Sequence, residues 1–193
     1  MVANPGYRRN DAALVVDLVT NESITPGGNV VRIGLGYDSH RLGQGGPLRI
    51  GGVDIPSPFH AIGHSDADVL LHAITDALLG ALCLPDIGRL FPDDDPANAN
   101  RDSADFLIEA LRQIREQGFE LVNLDAVILA QKPKMAPHLD AMRQRIAKIA
   151  SWDANQIGLK AKTGEGVGEI GTSQAIATRV VVLLARLNEN QKC

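Results

Sequence analysis

The sequence predicts an α+β fold. Segments of period two and segments of helical period are both present, and they follow one another without strict strand–helix–strand repetition. The length bounds the answer further. A chain of 193 residues, 45% hydrophobic and 22% charged, suits one domain, or one domain with an appendage, and buries a real core without staples. Aromatic residues are only 4%, so Ala, Leu, Ile and Val must build that core.

Residues 1–29 differ from the rest. Asp11 to Val19 has the length of a short helix or strand, and the polar run Asn21 to Asn29 breaks it. This stretch reads as an N-terminal extension, disordered at its start. Val30 to Tyr37 alternates, with Val31, Ile33, Leu35 and Tyr37 on one side and Arg32, Gly34 and Gly36 on the other, as in a half-buried strand. GQGGP is a turn, and LRIGGVDIP reads as a second strand that forms a hairpin with the first. Ser65 and Asp66 are candidate caps for a helix from about Ala67 to Leu82, apolar nearly all round and therefore buried. The loop LPDIGRLFPDDDP is dense in breakers and acids. Ser103 to Gln117 is amphipathic, with Phe106, Leu107, Ala110, Leu111 and Ile114 on one face and Gly118 as its stop.

Leu121 to Gln131 reads as a strand. Pro137 fits the first turn of a helix that buries Leu139, Met142, Ile146 and Ile149. Ile157 to Lys162 alternates as a strand and leads into TGEGVGEIG. For Ala175 to Leu187, the β-branched run and the alternation of Ile176, Thr178, Val180 and Val182 favour a strand. The main domain spans 30–188, with a short tail at 189–193.

Composition excludes several classes. A net charge of −4 without any basic run argues against nucleic-acid binding. No apolar stretch approaches the roughly 20 residues that span a membrane, and the first residues lack a signal-peptide pattern. Cys83 and Cys193, the only cysteines, are spaced for neither a disulfide framework nor a metal knuckle. A reducing, cytoplasmic compartment is the simplest expectation.

Asp38 and His40 stand at i and i+2 of an extended segment, so both side chains project to one side. His72 lies on the buried helix, where a polar group needs a reason, and Asp68 and Asp76 share its stripe four residues either way. Those carboxylates are candidates to orient the imidazole. Two imidazoles, one carboxylate and an open position suit a catalytic zinc ion. They also suit non-haem iron, although that centre ordinarily sits in a barrel of many strands. A chance D-x-H pair and a satisfied core histidine would look the same. His64-Ser65, at the start of a helix, is a candidate anion site through free backbone N–H groups, or a plain cap. Lys132 and Lys134 are candidates to reach a phosphate, or plain exposed lysines. Gly164, Gly166 and Gly168 resemble a phosphate cradle, but match neither the P-loop nor the dinucleotide fingerprint.

The segments RIGLGYDSHRL, GHSDADVLLHAITDALLGAL, DIGRLFPDDDP, AQKPKMAPHL and KAKTGEG, in this order and spacing, resemble the 2-C-methyl-D-erythritol 2,4-cyclodiphosphate synthase family from about Val31 to Arg186. The resemblance implies a mixed four- to five-stranded sheet with helices packed on one face. It also implies a homotrimer with the sheets toward its centre and active sites between subunits. The implied substrate is 4-diphosphocytidyl-2-C-methyl-D-erythritol 2-phosphate, cyclised with loss of CMP in non-mevalonate isoprenoid synthesis. The implied cofactors are one Zn²⁺ or similar ion per subunit, and Mg²⁺ or Mn²⁺ on the substrate diphosphate.

Carried over by motif, Asp38, His40 and His72 are the zinc ligands and also touch substrate. Glu165 holds the second metal, and His64 and Thr163 stabilise the transition state. Ser65 contacts phosphate. Asp86, Ile87 and Gly88 hold the methylerythritol hydroxyls, flanked by Phe91, Pro92, Asp93, Asp94 and Asp95. Ala130, Gln131, Lys132, Pro133, Lys134, Met135 and Ala136 form the cytosine pocket. Lys162, Thr163, Gly164 and Glu165 continue the nucleotide contacts.

Two departures matter. Many members read Thr-Thr-Thr-Glu where residues 162–165 read Lys-Thr-Gly-Glu, which keeps the threonine and the glutamate. Glu169 and Thr172 replace a phenylalanine and an arginine that line the trimer centre. A carboxylate repels diphosphate, so isoprenoid diphosphates are not expected to bind there. The competing readings are a metal-dependent phosphohydrolase on the same scaffold and a non-catalytic trimeric binding module. The cytidylyltransferase to which this domain is fused in some organisms does not fit into 29 residues, so a stand-alone form is expected.

Overall fold

The structure is a computed structural model that describes residues 30–92, 94, 95, 98 and 101–187. The N-terminal extension and the tail at 189–193 lie outside the described residues. Seven strands are present among the described residues: β1 (Val31–Gln44), β2 (Leu48–Ile50), β3 (Val53–Ile55), β4 (Phe59–Ile62), β5 (Phe119–Leu129), β6 (Ile157–Lys162) and β7 (Ala175–Arg186). Five form one sheet in the order β4-β1-β7-β5-β6, in which only β5 and β6 run parallel. The helices are α1 (Val69–Ala81), α2 (Ile87–Leu90), α3 (Ser103–Glu116), α4 (Leu139–Ala150) and α5 (Gly168–Gly171). The class is α+β, with α1 laid across β1 and β7 and packed in turn against α3.

The first strand is half-buried with its glycines inward. Gly34 and Gly36 are buried, whereas Ile33 and Leu35 are 70% and 69% exposed. The cause is α1. A Cβ on Gly34 would lie 1.8 Å from the Ala77 carbonyl oxygen, and one on Gly36 would lie 1.8 Å from that of Ala73. Only glycine permits this approach of helix backbone to strand backbone. Strand and helix run in opposite directions, because ascending from Gly34 to Gly36 descends from Ala77 to Ala73. The next inward residues of β1, Asp38 and His40, therefore arrive at the first turn of α1, where His72 stands.

Expectation and structure differ between β1 and α1. LRIGGVDIP does not pair with the first strand. It folds on itself as β2 and β3, a separate hairpin turned at Gly51 and Gly52 with φ of 60° and 70°. Positive φ at both central residues is the requirement of a tight two-residue turn. The antiparallel neighbour of β1 on that side is β4, registered from Arg41 opposite Ile62 to Gln44 opposite Phe59. The cap of α1 also falls later than Ser65 and Asp66. Asp68 is the N-cap, fully buried, and its carboxylate accepts from Leu70 and Leu71 of the helix and from Gly51 and Gly52 of the hairpin turn. One side chain thus ties the helix start to the hairpin, and backbone donors on both oxygens repay its burial.

The remaining elements follow their patterns. α3 buries Phe106, Leu107, Ala110, Leu111 and Ile114. A short 3₁₀ turn at Ala136–His138 contains Pro137 and leads into α4, which buries Met142, Ile146, Ala147 and Ala150, while Leu139 and Ile149 are partly buried. β7 buries Ile176, Thr178, Val180, Val182 and Leu184. The short helices α2 and α5 lie in segments read from sequence as loops.

Candidate active site

Asp38 Oδ2, His40 Nε2 and His72 Nδ1 form a near-equilateral triangle with sides of 3.0, 3.1 and 3.3 Å. Tetrahedral bonds of about 2.0–2.1 Å to zinc set ligand atoms roughly 3.3–3.4 Å apart. Two imidazole nitrogens and a carboxylate oxygen at these separations need open by only a few tenths of an ångström to hold a divalent ion, and they are the one such cluster among the described residues.

The electrostatics of the triad agree with that use. Burial opposes ionisation of Asp38, but hydrogen bonds and charge from His40 and His72 outweigh it and hold its carboxyl well below the usual range. Burial likewise disfavours the charged form of His72, yet Asp38 more than compensates and raises its pKa.

The expected orienting carboxylates do other work. Asp68 caps α1. Asp76 accepts from the Ile87 amide at 2.8 Å and so anchors the loop after α1, with its own pKa raised chiefly by burial. The outer nitrogen of His72, Nε2, meets Ser103 Oγ at 2.7 Å and Ser65 Oγ at 3.1 Å. Ser103 comes from α3, a contact that sequence reasoning missed. The free N–H groups expected beside His64 and Ser65 are largely spoken for. Ala67 donates to Ser65 Oγ, Asp68 to Asp66, and the first helical amides to Asp68.

The triad lies in a cavity of about 640 Å³, within the range of small-molecule sites. His64, Ser65, Ile87, Gly88 and Phe91, all singled out in the sequence, share its walls. Asp86 stands beside it as the cap of α2, accepting from the Arg89 amide. Pro92, Asp94 and Asp95 continue the loop, and Asp93 lies outside the described residues. Ser39, Arg41, Ile62, Asn98 and Phe106 also line the cavity and carried no sequence signal. Phe106 stacks on Phe91 with centroids 4.5 Å apart and approaches the His72 ring at 5.9 Å, and Arg101 covers both phenylalanines. Asn98 donates to the Pro92 carbonyl and holds the loop shut on this aromatic pair.

A second group of predicted residues collects elsewhere. The loop Ala130 to Ala136 follows β5, and Lys162 to Glu165 follows its parallel neighbour β6. They are joined where Ala130 donates to the Lys162 carbonyl and Gly164 donates to Gln131 Oε1. Thr163 Oγ1 donates to Glu165 Oε1 at 2.6 Å, and Glu165 sits at φ 49°, a conformation that side-chain-bearing residues seldom adopt. This cluster does not line the triad's cavity. Asp38, Thr178, Ile128 and Ala161 form one row across the sheet. Three strand spacings, about 14 Å in all, therefore separate the metal residues from the β6 end within one chain.

A model of the YgbB family matches residues 31–185. The 2-C-methyl-D-erythritol 2,4-cyclodiphosphate synthase of Rhodopirellula baltica is 67% identical over 155 residues, covering 80% of this chain and 93% of that one. A solved 2C-methyl-D-erythritol-2,4-cyclodiphosphate synthase in a CDP-bound form superposes with a TM-score of 0.74 at 43% identity, covering 79% of this chain and 99% of the other. The bifunctional IspDF of Campylobacter jejuni gives a TM-score of 0.80 at 39% identity, covering 83% of this chain and 44% of that longer one. No helix among the described residues is long and apolar enough to cross a membrane. The chain belongs to the YgbB family, that of the 2-C-methyl-D-erythritol 2,4-cyclodiphosphate synthases.

Proposed function

We propose that this chain carries out its family's cyclisation with Asp38, His40 and His72 as a zinc centre and with the site completed by the Thr163–Glu165 loop of a neighbouring subunit in a homotrimer. The reaction converts 4-diphosphocytidyl-2-C-methyl-D-erythritol 2-phosphate to 2-C-methyl-D-erythritol 2,4-cyclodiphosphate and CMP. An oxygen of the 2-phosphate bonds to the β-phosphorus, the bond from that phosphorus to the bridging oxygen breaks, and CMP departs with the electron pair. No water is consumed and no covalent enzyme intermediate is needed.

The nucleophile is already an anion, so the protein's task is to position and to neutralise. A divalent ion held by Asp38, His40 and His72 would supply positive charge to a phosphate oxygen. His64 and Ser65, on the same cavity wall, offer hydrogen bonds to the phosphates. The Asp86–Gly88 turn, held by Asp76, receives the methylerythritol hydroxyls. Phe91 and Phe106, closed by Arg101, exclude water that would compete with the internal nucleophile. Ala130 to Ala136 read the cytosine, with Lys132 and Lys134 near the phosphates. Glu165 would hold a second ion, Mg²⁺ or Mn²⁺, that would neutralise diphosphate charge, and Thr163 assists transfer. The cytoplasm is the compartment that suits this chemistry and the free thiol of Cys83.

The observation that carries the reading is the donor triangle at the floor of a substrate-sized cavity. CMP release measured together with phosphorus NMR of the product tests it. A cyclic diphosphate formed in step with CMP is expected. An acyclic product would make the chain a phosphohydrolase, and silence from metal-loaded protein would leave a binding module.

A further inference from the structure

We propose that Ser103, backed by Asp66, is a positioning residue that fixes the tautomer of His72 so that its Nδ1 lone pair faces the metal centre. The proposal rests on reading the triad as a metal site. Ser103 is fully buried at the first position of α3, far from the D-x-H and H-S-D segments in sequence. Its hydroxyl lies between two partners: His72 Nε2 at 2.7 Å, and Asp66 Oδ1 in a very short contact.

A serine hydroxyl has one proton to give. Asp66 is supplied with donors on both oxygens. The Arg49 Nε and the Ser103 amide donate to Oδ2, and the Asp68 amide donates to Oδ1. A carboxylate so placed is an acceptor, and the Ser103 proton goes to it. The serine oxygen can then only accept from His72, so the imidazole proton sits on Nε2. In a neutral ring this leaves the lone pair on Nδ1, which is the nitrogen within the donor triangle. The Ser65 oxygen, 3.1 Å from the same Nε2, becomes a second acceptor, and its own proton is turned away from His72 toward the cavity it lines. Arg49 braces the relay from outside, because it also reaches Asp102, the cap of α3. The helix that carries Ser103 and the carboxylate that receives its proton are held by one guanidinium.

The test combines metal affinity with a readout that needs no metal. In metal-free parent protein held above the pH at which His72 loses the Nδ1 proton that faces Asp38, nitrogen-15 NMR of its ring is expected to show the remaining proton on Nε2 alone. Ser103→Ala is expected to give a mixture of tautomers. It should also weaken binding of zinc, measured by chelator competition, by about 10- to 100-fold. Ser103→Thr, which restores a hydroxyl, should recover most of both. Asp66→Asn keeps the serine but removes its acceptor, and should disturb the tautomer as Ser103→Ala does. An unchanged His72 tautomer in folded Ser103→Ala, or zinc affinity within about twofold of the parent, overturns the proposal. If Ser103→Ala does not fold, Asp66→Asn and Ser103→Thr carry the same two readouts. A parent protein that binds no divalent ion overturns the metal-site reading instead, and the tautomer result still decides the role of Ser103.

Discussion

At the scale of the residue, the triad was legible because each member broke a local expectation. A polar pair on one side of a strand and an imidazole on an otherwise apolar helix both needed partners. What was not legible is which neighbours serve which group. Asp68 and Asp76 share the helical stripe of His72, yet the backbone of the hairpin turn and of the α2 loop claims them, because unpaired buried amides are costly. Ser103 serves His72 from 31 residues away, and no spacing rule reaches that far.

The opposed shifts of Asp38 and His72 give a signed prediction for the metal-free protein. The carboxyl is held below its ordinary value of 3.8, so its contribution is present above that pH and lost as pH falls through the folded value. The imidazole is raised above 6.5, so its contribution is present below that pH and lost as pH rises through the folded value. The pair therefore stabilises the metal-free chain most between those two ordinary values. Denaturant melts across pH should show this excess in the parent and its absence in His72→Ala. Zinc competes with the same proton on Nδ1, so zinc affinity should rise with pH over the neutral range. A His72→Ala protein that still carried one zinc per subunit by elemental analysis would rule out the ligand assignment.

At the scale of the element, helical and strand periods gave α3, β5, β6 and β7 to within a residue or two. They failed between β1 and α1 for a physical reason. A run such as LRIGGVDIP has one alternating pattern, but two consecutive glycines allow a turn that splits it. The face of β1 was the subtler case. Alternation separates two faces without saying which is covered, and here the glycine face is covered because α1 lies backbone to backbone upon it. That contact sets the distance from His72 to Asp38 and His40. Gly36→Ala would force the Ala73 carbonyl away from β1, with no flexible side chain to absorb the move. A loss of at least about 3 kcal/mol in denaturant melts is expected, the upper end of overpacking costs. Zinc affinity should fall with it, since α1 carries a ligand. A substitution on the opposite face, such as Ile33→Val, should leave zinc affinity unchanged in the same assay.

At the scale of the whole molecule, two features demand one explanation. Val31, Ile33, Leu35, Tyr37 and Val181 are exposed on one sheet face, a large apolar patch of the kind that marks an association surface. Asp38 and Ala161, near the end of β6 that leads into the Thr163–Glu165 loop, meanwhile stand three strand spacings, about 14 Å, apart in a single chain. Association of three chains through that face, as proposed above, would cover the patch and would bring one chain's nucleotide loop to its neighbour's metal cavity. Complementation tests this directly. His72→Ala disables the metal half of a site, and Glu165→Gln disables the other half. If each site takes one half from each of two neighbours, every mixed trimer contains one intact site. Random co-assembly at equal expression makes three trimers in four mixed, so about a quarter of parent activity should return from two inactive variants. If each chain built its whole site alone, co-expression would return none, and the shared-site architecture would be wrong.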